Sequence, residues 1–316
     1  MMLQRFLGSC LCAKQWFSWC SPIIYFVIGQ YRLWSVKPGK IRMHSRVVKT
    51  VESDLPNIGI VGGLGRMGRW FTEFFERAGF SVMVSDIETE FTPRDLAAEC
   101  RVVILSLPME VFPDVVADIG PSIPEGSLLT DLCSLKQAQV RCMLEHSSCE
   151  VVGTHPLFGP AEDDMSGRRV ALCPGRGKRW LSWWEGLLQR YGALTTVITP
   201  EDHDRTMAWV QALNHFILLT LGKSLEDDGI DLKHIKELAT PSFHMQMEIV
   251  SRLYYQDPEL YATIQMSNPY TCRTLDMFNQ HSESLKDIIK RRDRVAFIRL
   301  FKEVQELGRM LTMQEQ

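Results

Sequence analysis

The segment Asn57-Ile58-Gly59-Ile60-Val61-Gly62-Gly63-Leu64-Gly65-Arg66-Met67-Gly68 constrains the fold of this 316-residue chain more than any other. Its apolar start suits a buried strand. Gly63-x-Gly65-x-x-Gly68 then opens a segment whose apolar residues Met67, Trp70, Phe71, Phe74, Phe75 and Ala78 share one face of a helix, and Gly79 stands where that helix should stop. Phe80 to Val84 reads as a second strand, with Asp86 just beyond it. Strand, glycine turn, helix, strand and acid in this order form a dinucleotide-binding fingerprint. The glycines permit a tight turn and let the backbone approach a pyrophosphate, which the helix N-terminus stabilises. Candidate contacts in the turn are Gly63, Leu64, Gly65, Arg66, Met67 and Gly68. Asp86 falls about 20 residues beyond the turn, where a carboxylate accepts hydrogen bonds from the adenosine ribose and repels a 2′-phosphate. No Arg follows within the next few positions, so NAD is expected over NADP. Arg66, inside the turn, is the residue that argues the other way.

The alternation continues after Asp86. Strands are expected at Val102 to Leu107, Ser127 to Leu132, Glu150 to Gly153, Arg169 to Cys173 and Leu194 to Ile198. Helices are expected over Glu110 to Ile119, from Lys136 to about Glu145, and over Trp180 to Tyr191. This rhythm implies an α/β, Rossmann-like domain with a mostly parallel sheet. Past Pro200 no strand-like run survives, and long helices are expected over Asp202 to Asp227, Leu232 to Leu253, and Arg273 to Met313 with a break near Arg292. Met207, Val210, Ala212, Leu213, Phe216, Ile217 and Leu221 span too wide an arc for a surface helix, so this all-α part is expected to bury them against another subunit. The division is 1–55 as an extension, 56–199 as the dinucleotide-binding domain and 200–316 as a helical substrate and dimerisation domain.

A net charge of −3 with 45% hydrophobic residues gives no general attraction for nucleic acid. Nine cysteines without a CxxC pair or metal-ligand spacing suit free thiols in a reducing, cytoplasmic setting, and no metal is indicated. The first ~50 residues differ in composition from the rest. Their apolar run is interrupted by Gln15, Ser18, Ser21 and Gln30 and falls short of the ~20 apolar residues a membrane span needs. They are expected to be a poorly ordered extension, with translation starting at Met43 as one possibility, and removal of residues 1–42 should leave the activity.

In open α/β sheets, ligands bind beyond the carboxyl ends of the strands. Ser106, Leu107 and Pro108 follow one strand, Ser134 and Lys136 the next, and His155 the one after. His155 is read as lying in a loop between Gly153 and Gly159. An imidazole there has the pKa to take a proton from a hydroxyl, although a histidine capping a loop carbonyl fits equally well. His203 and Asp204 sit at a helix start, where Asp204 alone could satisfy free amides. His215, on an apolar helix, is a core histidine or a ligand. Arg252, among Ile249, Val250 and Leu253, needs an anion: an acidic side chain or a bound carboxylate.

Gly62 to Gly68, Gly153-Thr154-His155-Pro156-Leu157-Phe158-Gly159-Pro160, Glu201-Asp202-His203-Asp204, Gln211-Ala212-Leu213-Asn214-His215-Phe216 and Arg252-Leu253 with Gln256 to Ala262 together resemble prephenate dehydrogenases. The likeness is greatest to the dehydrogenase part of the bifunctional chorismate mutase/prephenate dehydrogenase, and it runs from near Asn57 to the last helix. The resemblance implies NAD-dependent oxidative decarboxylation of prephenate to 4-hydroxyphenylpyruvate in tyrosine biosynthesis, by a homodimer. It further implies that His155 accepts a hydrogen bond from the 4-hydroxyl, that Ser134 bridges hydroxyl and nicotinamide, and that Lys136 lies in the active site. Arg252 would hold a substrate carboxylate, His215 would line the same pocket, and Tyr261 would reach across the dimer interface. His244 stands where bifunctional relatives tend to carry a second arginine, which leaves the contacts to the substrate side chain open. About 55 residues before the fingerprint cannot supply the mutase's long helices, so no mutase activity is expected. Arogenate, the amino analogue, is the competing substrate. A β-hydroxyacid dehydrogenase would normally use a lysine on the helix after the boundary, which here carries His203 and His215. A non-catalytic NAD-binding sensor would need the fingerprint without His155, Ser134 and Arg252.

Overall fold

The computed structural model describes residues 55–313; the expectations for the N-terminal extension lie outside the described residues. Seven strands, β1 (Ile58–Val61), β2 (Val82–Ser85), β3 (Val102–Leu105), β4 (Leu128–Asp131), β5 (Glu150–Pro156), β6 (Arg169–Arg176) and β7 (Leu194–Val197), form one sheet in the order β2-β1-β3-β4-β5-β6-β7. All neighbours are parallel except β5 and β6, which are antiparallel. β1, β3 and β4 are buried at every position, as nearly continuous apolar strands must be when helices cover both faces.

On one face lie α1 (Arg66–Arg77) and α5 (Arg179–Arg190). They contribute Trp70, Phe71, Phe74, Phe75, Trp180 and Trp184 to an aromatic core over Ile58, Ile60, Val102 and Ile104. Phe75 and Trp184 stack with centroids 5.6 Å apart. The other face carries α2 (Pro93–Glu99), α3 (Phe112–Ile119) and α4 (Gln137–His146), which bury Leu96, Phe112, Val116, Ile119, Val140 and Met143. Of these, α2 had not been expected from the sequence. Its start is nevertheless written there: Thr92 and Asp95 exchange hydrogen bonds in a capping box, and Pro93 occupies the first turn.

From β1 the chain crosses to β2 on one side and then to β3 on the other. That reversal opens a crevice beyond the carboxyl ends of β1 and β3, where the glycine turn lies.

After β7 the chain is helical: α6 (Pro200–Met207), a π-helical turn (Ala208–Leu213), α7 (Asn214–Asp228), α8 (Leu232–Leu238), α9 (Pro241–Arg252), α10 (Pro258–Ser267), α11 (Thr271–Lys290) and α12 (Arg294–Met313). The single helix expected over Leu232 to Leu253 is divided before Pro241, because proline lacks an N–H and disfavours helical backbone in the residue before it. Thr240 instead caps the new helix through the amide of Phe243. The break expected near Arg292 is present, with Arg292 in the left-handed region at φ 56°. Among the described residues, no helix is long and apolar enough to cross a membrane. Val295, Phe301, Val304 and Leu307 of α12 are all more than half exposed in the single chain.

Candidate active site

The turn after β1 is built as the glycine pattern requires, with one addition. Gly62 has φ +78°, and a Cβ on it would collide with the carbonyl of Ser106. Gly68 faces Gly62 so closely that any side chain would strike the Gly62 carbonyl, which fixes how α1 packs on β1. Gly62 therefore belongs to the motif beside Gly63, Gly65 and Gly68. Leu64, Gly65 and Arg66 are exposed at the start of α1. The Leu64 amide donates to Asp86 Oδ2 at 2.8 Å, so the acid just beyond β2, expected from the sequence to meet the adenosine ribose, is tied to the glycine turn. Arg66 points over the surface, 3.8 Å from Asp257 at the start of α10. Ser106 and Leu107 are half-buried and Pro108 exposed where β3 ends. An exposed glycine turn that leads straight into the N-terminus of α1 and is backed by a carboxylate fits a dinucleotide.

His155 corrects the sequence reading. It lies within β5 rather than in a loop, paired with Ala171 of β6, and is 3% exposed. Its direction is thus set by two strands. The Pro156-Leu157-Phe158 segment that follows is pinned to the cofactor-side helix, where Phe158 packs edge-on against Trp70 at 5.0 Å. Trp70 Nε1 also donates to the Glu162 carbonyl at 2.6 Å.

His155 Nδ1 lies 2.9 Å from His203 Nε2, and His203 Nδ1 lies 2.7 Å from Asp204 Oδ1. His203 and Asp204 are each 1% exposed. Asp204 does not cap its own helix; Thr199 does that by accepting from the Asp202 amide. Its carboxylate instead accepts the amides of Lys136 at 2.8 Å and Gln137 at 2.9 Å, at the start of α4. From the π-helical turn, Gln211 brings its side-chain amide to 3.4 Å from His155 Nε2. Its own carbonyl oxygen is buried without a partner. π-Helical turns concentrate at functional sites because they re-aim one side chain without breaking the helix. Gln211, quoted only within a motif from the sequence, is the residue this geometry adds.

Lys136 departs from expectation. Its side chain is fully buried, with the ammonium bound to the Asp131 carboxylate and, at 2.9 Å, to the Thr154 carbonyl. It has no surface to offer a substrate. Asp131 also accepts the amides of Cys133 at 3.0 Å and Thr154 at 3.2 Å, so the pair knits the ends of β4 and β5 together beneath His155. Burial, then His203, then the nearby Lys136 charge hold the His155 pKa well below its usual value. The ring is accordingly neutral near pH 7 and able to accept a proton.

Ser134 is half-buried after β4. His215 stacks on Tyr261 of the same chain, with centroids 3.9 Å apart. Its Nδ1 is buried without a partner, and burial lowers its pKa. Arg252 and His244 are exposed on α9. His244 lies 3.5 Å from Glu248, whereas Arg252 has no ion-pair partner among the described residues. Those residues hold no group of three or more His, Cys, Asp or Glu arranged for a metal ion, and their six cysteines are unpaired.

A doubly covered sheet, a glycine turn backed by an acid and a neutral histidine at the same sheet edge define a Rossmann-like oxidoreductase with a helical second domain. Comparison with known proteins then fixes the family. Residues 80–199 match the prephenate dehydrogenase nucleotide-binding domain, and residues 199–303 match the prephenate dehydrogenase dimerization domain. The T-protein of Enterobacter agglomerans is 32% identical over 258 residues, covering 82% of this chain and 69% of that protein. A probable arogenate/prephenate dehydrogenase of Methanocaldococcus jannaschii is 33% identical over 265 residues, covering 78% of this chain and 59% of that protein. The chain belongs to the prephenate dehydrogenase family. The fold agrees with the crystal structure of Aquifex aeolicus prephenate dehydrogenase in complex with hydroxyphenyl propionate and NAD+, at TM-score 0.65 and 22% identity over 81% of this chain and 98% of that one.

Proposed function

We propose that this protein is an NAD-dependent prephenate dehydrogenase that acts as a homodimer and produces 4-hydroxyphenylpyruvate and CO2. The observation that carries the reading is His155: neutral, fixed by the sheet, and at the strand ends that also bear the glycine turn. NAD+, when bound, supplies the hydride acceptor for the ring carbon that bears the hydroxyl. His155 takes the hydroxyl proton as the carbonyl forms and returns it to the phenolate oxygen once the ring carboxylate has left as CO2. The protons therefore balance without a second base. Asp86, bound to the turn, favours the unphosphorylated ribose, and the Asp86 carboxylate opposes a 2′-phosphate. Arg252, exposed and without an anion partner among the described residues, is the group for a substrate carboxylate, with His215 and Tyr261 lining the way and Ser134 at the hydroxyl. Lys136 acts from beneath, by holding the strand ends and adding its charge to the burial and the His203 contact that keep His155 neutral.

The test is formation of reduced coenzyme by the purified protein, with prephenate and arogenate offered separately and NADP+ as a coenzyme control. Turnover with prephenate and NAD+ is expected. Preference for arogenate would move the enzyme to the other tyrosine route, and no turnover with either would remove the reading. In the same assay His155→Asn should lower kcat by about 10²–10⁴-fold, the usual worth of a general base, and leave NAD+ binding in place. Unchanged turnover would take His155 out of the chemistry.

A further inference from the structure

His155 does not stand alone; it ends a buried chain of hydrogen bonds that starts at the backbone of α4. Asp204 Oδ1 receives the Lys136 amide and Oδ2 the Gln137 amide, and both groups are donors only. The remaining capacity of Oδ1 faces His203 Nδ1 at 2.7 Å. A carboxylate already bound by two amides is an acceptor, so His203 Nδ1 must carry the proton. In a neutral His203 this leaves Nε2 bare. His155 Nδ1, 2.9 Å away, must then be the donor, and His155 Nε2 becomes the free lone pair. The Gln211 side-chain amide approaches the same nitrogen at 3.4 Å, a long contact that its NH2 can make to a bare Nε2.

We infer that His203 and Asp204 are positioning residues that set the tautomer of His155 and draw off its positive charge when it accepts a proton. The inference rests on the reaction assigned above and deepens it. When Nε2 takes the proton of the substrate hydroxyl, the Nδ1 proton moves along the 2.9 Å hydrogen bond to His203 Nε2. The charge then lies beside the Asp204 carboxylate instead of inside β5, near the Lys136 ammonium. When the phenolate needs its proton, the same two shifts run backwards, and no proton is gained or lost. The groups facing His155 are Lys136, paired with Asp131 on the sheet side, His203 with Asp204 on α6, and Gln211 on the π-helical turn. Of these, Asp204 is the anion in line with the ring. Its two amide donors at the start of α4 are what a helix N-terminus offers any carboxylate, which ties the aim of the base to the packing of α4 against α6.

Asp204→Asn tests this directly. An asparagine has one carbonyl oxygen where the carboxylate had two, so its NH2 must face either the Gln137 amide or His203 Nδ1. In the second case every hydrogen bond in the chain reverses, and His155 presents Nε2–H instead of a lone pair. A drop in kcat of about 10²–10⁴-fold is expected, on the scale found when the acid behind a catalytic histidine is made an amide. The Michaelis constant for NAD+ should stay in place, and the acid limb of the kcat profile should move to lower pH because the imidazolium has lost its anion. His203→Gln, whose side-chain oxygen can still accept from His155 Nδ1, should retain more activity than His203→Leu. This comparison does not depend on Asp204→Asn folding well. Nitrogen-15 NMR of the histidine rings gives a readout separate from activity: wild-type His155 should show Nδ1–H with Nε2 bare, and His203→Leu should mix the tautomers. An Nε2–H tautomer in the wild type would overturn the inference. So would Asp204→Asn with an unchanged kcat and acid limb, or equal activity in the two His203 variants. A wild-type Nδ1–H tautomer without turnover on prephenate or arogenate would uphold the hydrogen-bond chain and sink the assigned reaction instead.

Discussion

Replacing Lys136 by methionine removes one half of an ion pair in which neither side chain has any exposed surface. Methionine keeps most of the aliphatic volume, so the change is mainly electrostatic. Asp131 is left as a buried carboxylate holding only the amides of Cys133 and Thr154. Breaking a buried pair from one side costs about 3–5 kcal/mol, because the stranded charge keeps its desolvation penalty. Two remaining amide donors place this site in the lower part of that range, about 3–4 kcal/mol. Domains of this size lose roughly 2–4 °C of Tm per kcal/mol, so a fall of about 6–16 °C is expected. Thermal and urea unfolding of Lys136→Met, Asp131→Asn and the double variant would measure it. The double variant should be less destabilised than the sum of the singles, since it leaves no stranded charge. After burial and His203, the same lysine also lowers the His155 pKa, so its loss should raise that pKa and shift the acid limb of kcat/KM to higher pH in whatever enzyme remains folded. A loss of under about 1 kcal/mol for Lys136→Met, or additive singles, would refute this account, because a charge that tolerates isolation so cheaply is not desolvated.

Arg252→Gln should raise the Michaelis constant for prephenate by about 10–100-fold, the worth of a charge-assisted hydrogen bond, with kcat less affected. An unaltered constant in steady-state assays would assign Arg252 to the surface alone. Phe301→Glu puts a charge on the exposed apolar face of α12 and should dissociate the proposed dimer, read by sedimentation; an unchanged sedimentation coefficient would move the subunit contact elsewhere. Acid stability should reflect the histidines held neutral by burial. The folded pKa values of His155 and His215 are depressed, so below about pH 6.5 the unfolded chain binds protons that the native state refuses. Stability should fall as pH drops through that window, and His155→Gln should flatten the fall in urea titrations; an identical slope would mean that His155 protonates freely in the native state.

What the sequence revealed, and what it hid, follows the range of the interactions concerned. The glycine turn, the apolar strands and the aromatic face of α1 are local patterns, and they were legible. Gly62 was legible as part of the motif but not among the turn contacts, because the clash that excludes a side chain there comes from the carbonyl of Ser106, just beyond another strand. His155 was placed at the right end of the right strand but assigned to a loop. Glycine and proline around it mimic loop composition, whereas the partner that makes it a strand is Ala171 in an antiparallel β6. Lys136 shows the limit more sharply. A lysine after a strand end reads as a cation for an anionic substrate, and only the fold brings the Asp131 carboxylate back under it.

His203 and Asp204 carry the same argument to the mechanism. As adjacent polar residues at a helix start they matched a capping pattern, yet Thr199 already meets that need. Their actual partners, the amides of Lys136 and Gln137 and the ring of His155, are 48 to 68 positions away in sequence. No periodicity encodes such a contact. It exists because α6 crosses the start of α4, and the crossing is set by packing. The exposed apolar residues of α12 extend the point beyond one chain. Their exposure marks an apolar face that nothing among the described residues buries, and the match of residues 199–303 to a dimerization domain fits a partner there. In this protein the outer helix faces of the second domain are exposed in the single chain, while its first turn reaches back to the sheet and meets His155 there. A mutation on either surface of those helices should be felt at the other only if the packing of α6 on α4 moves, because that is where the two are joined.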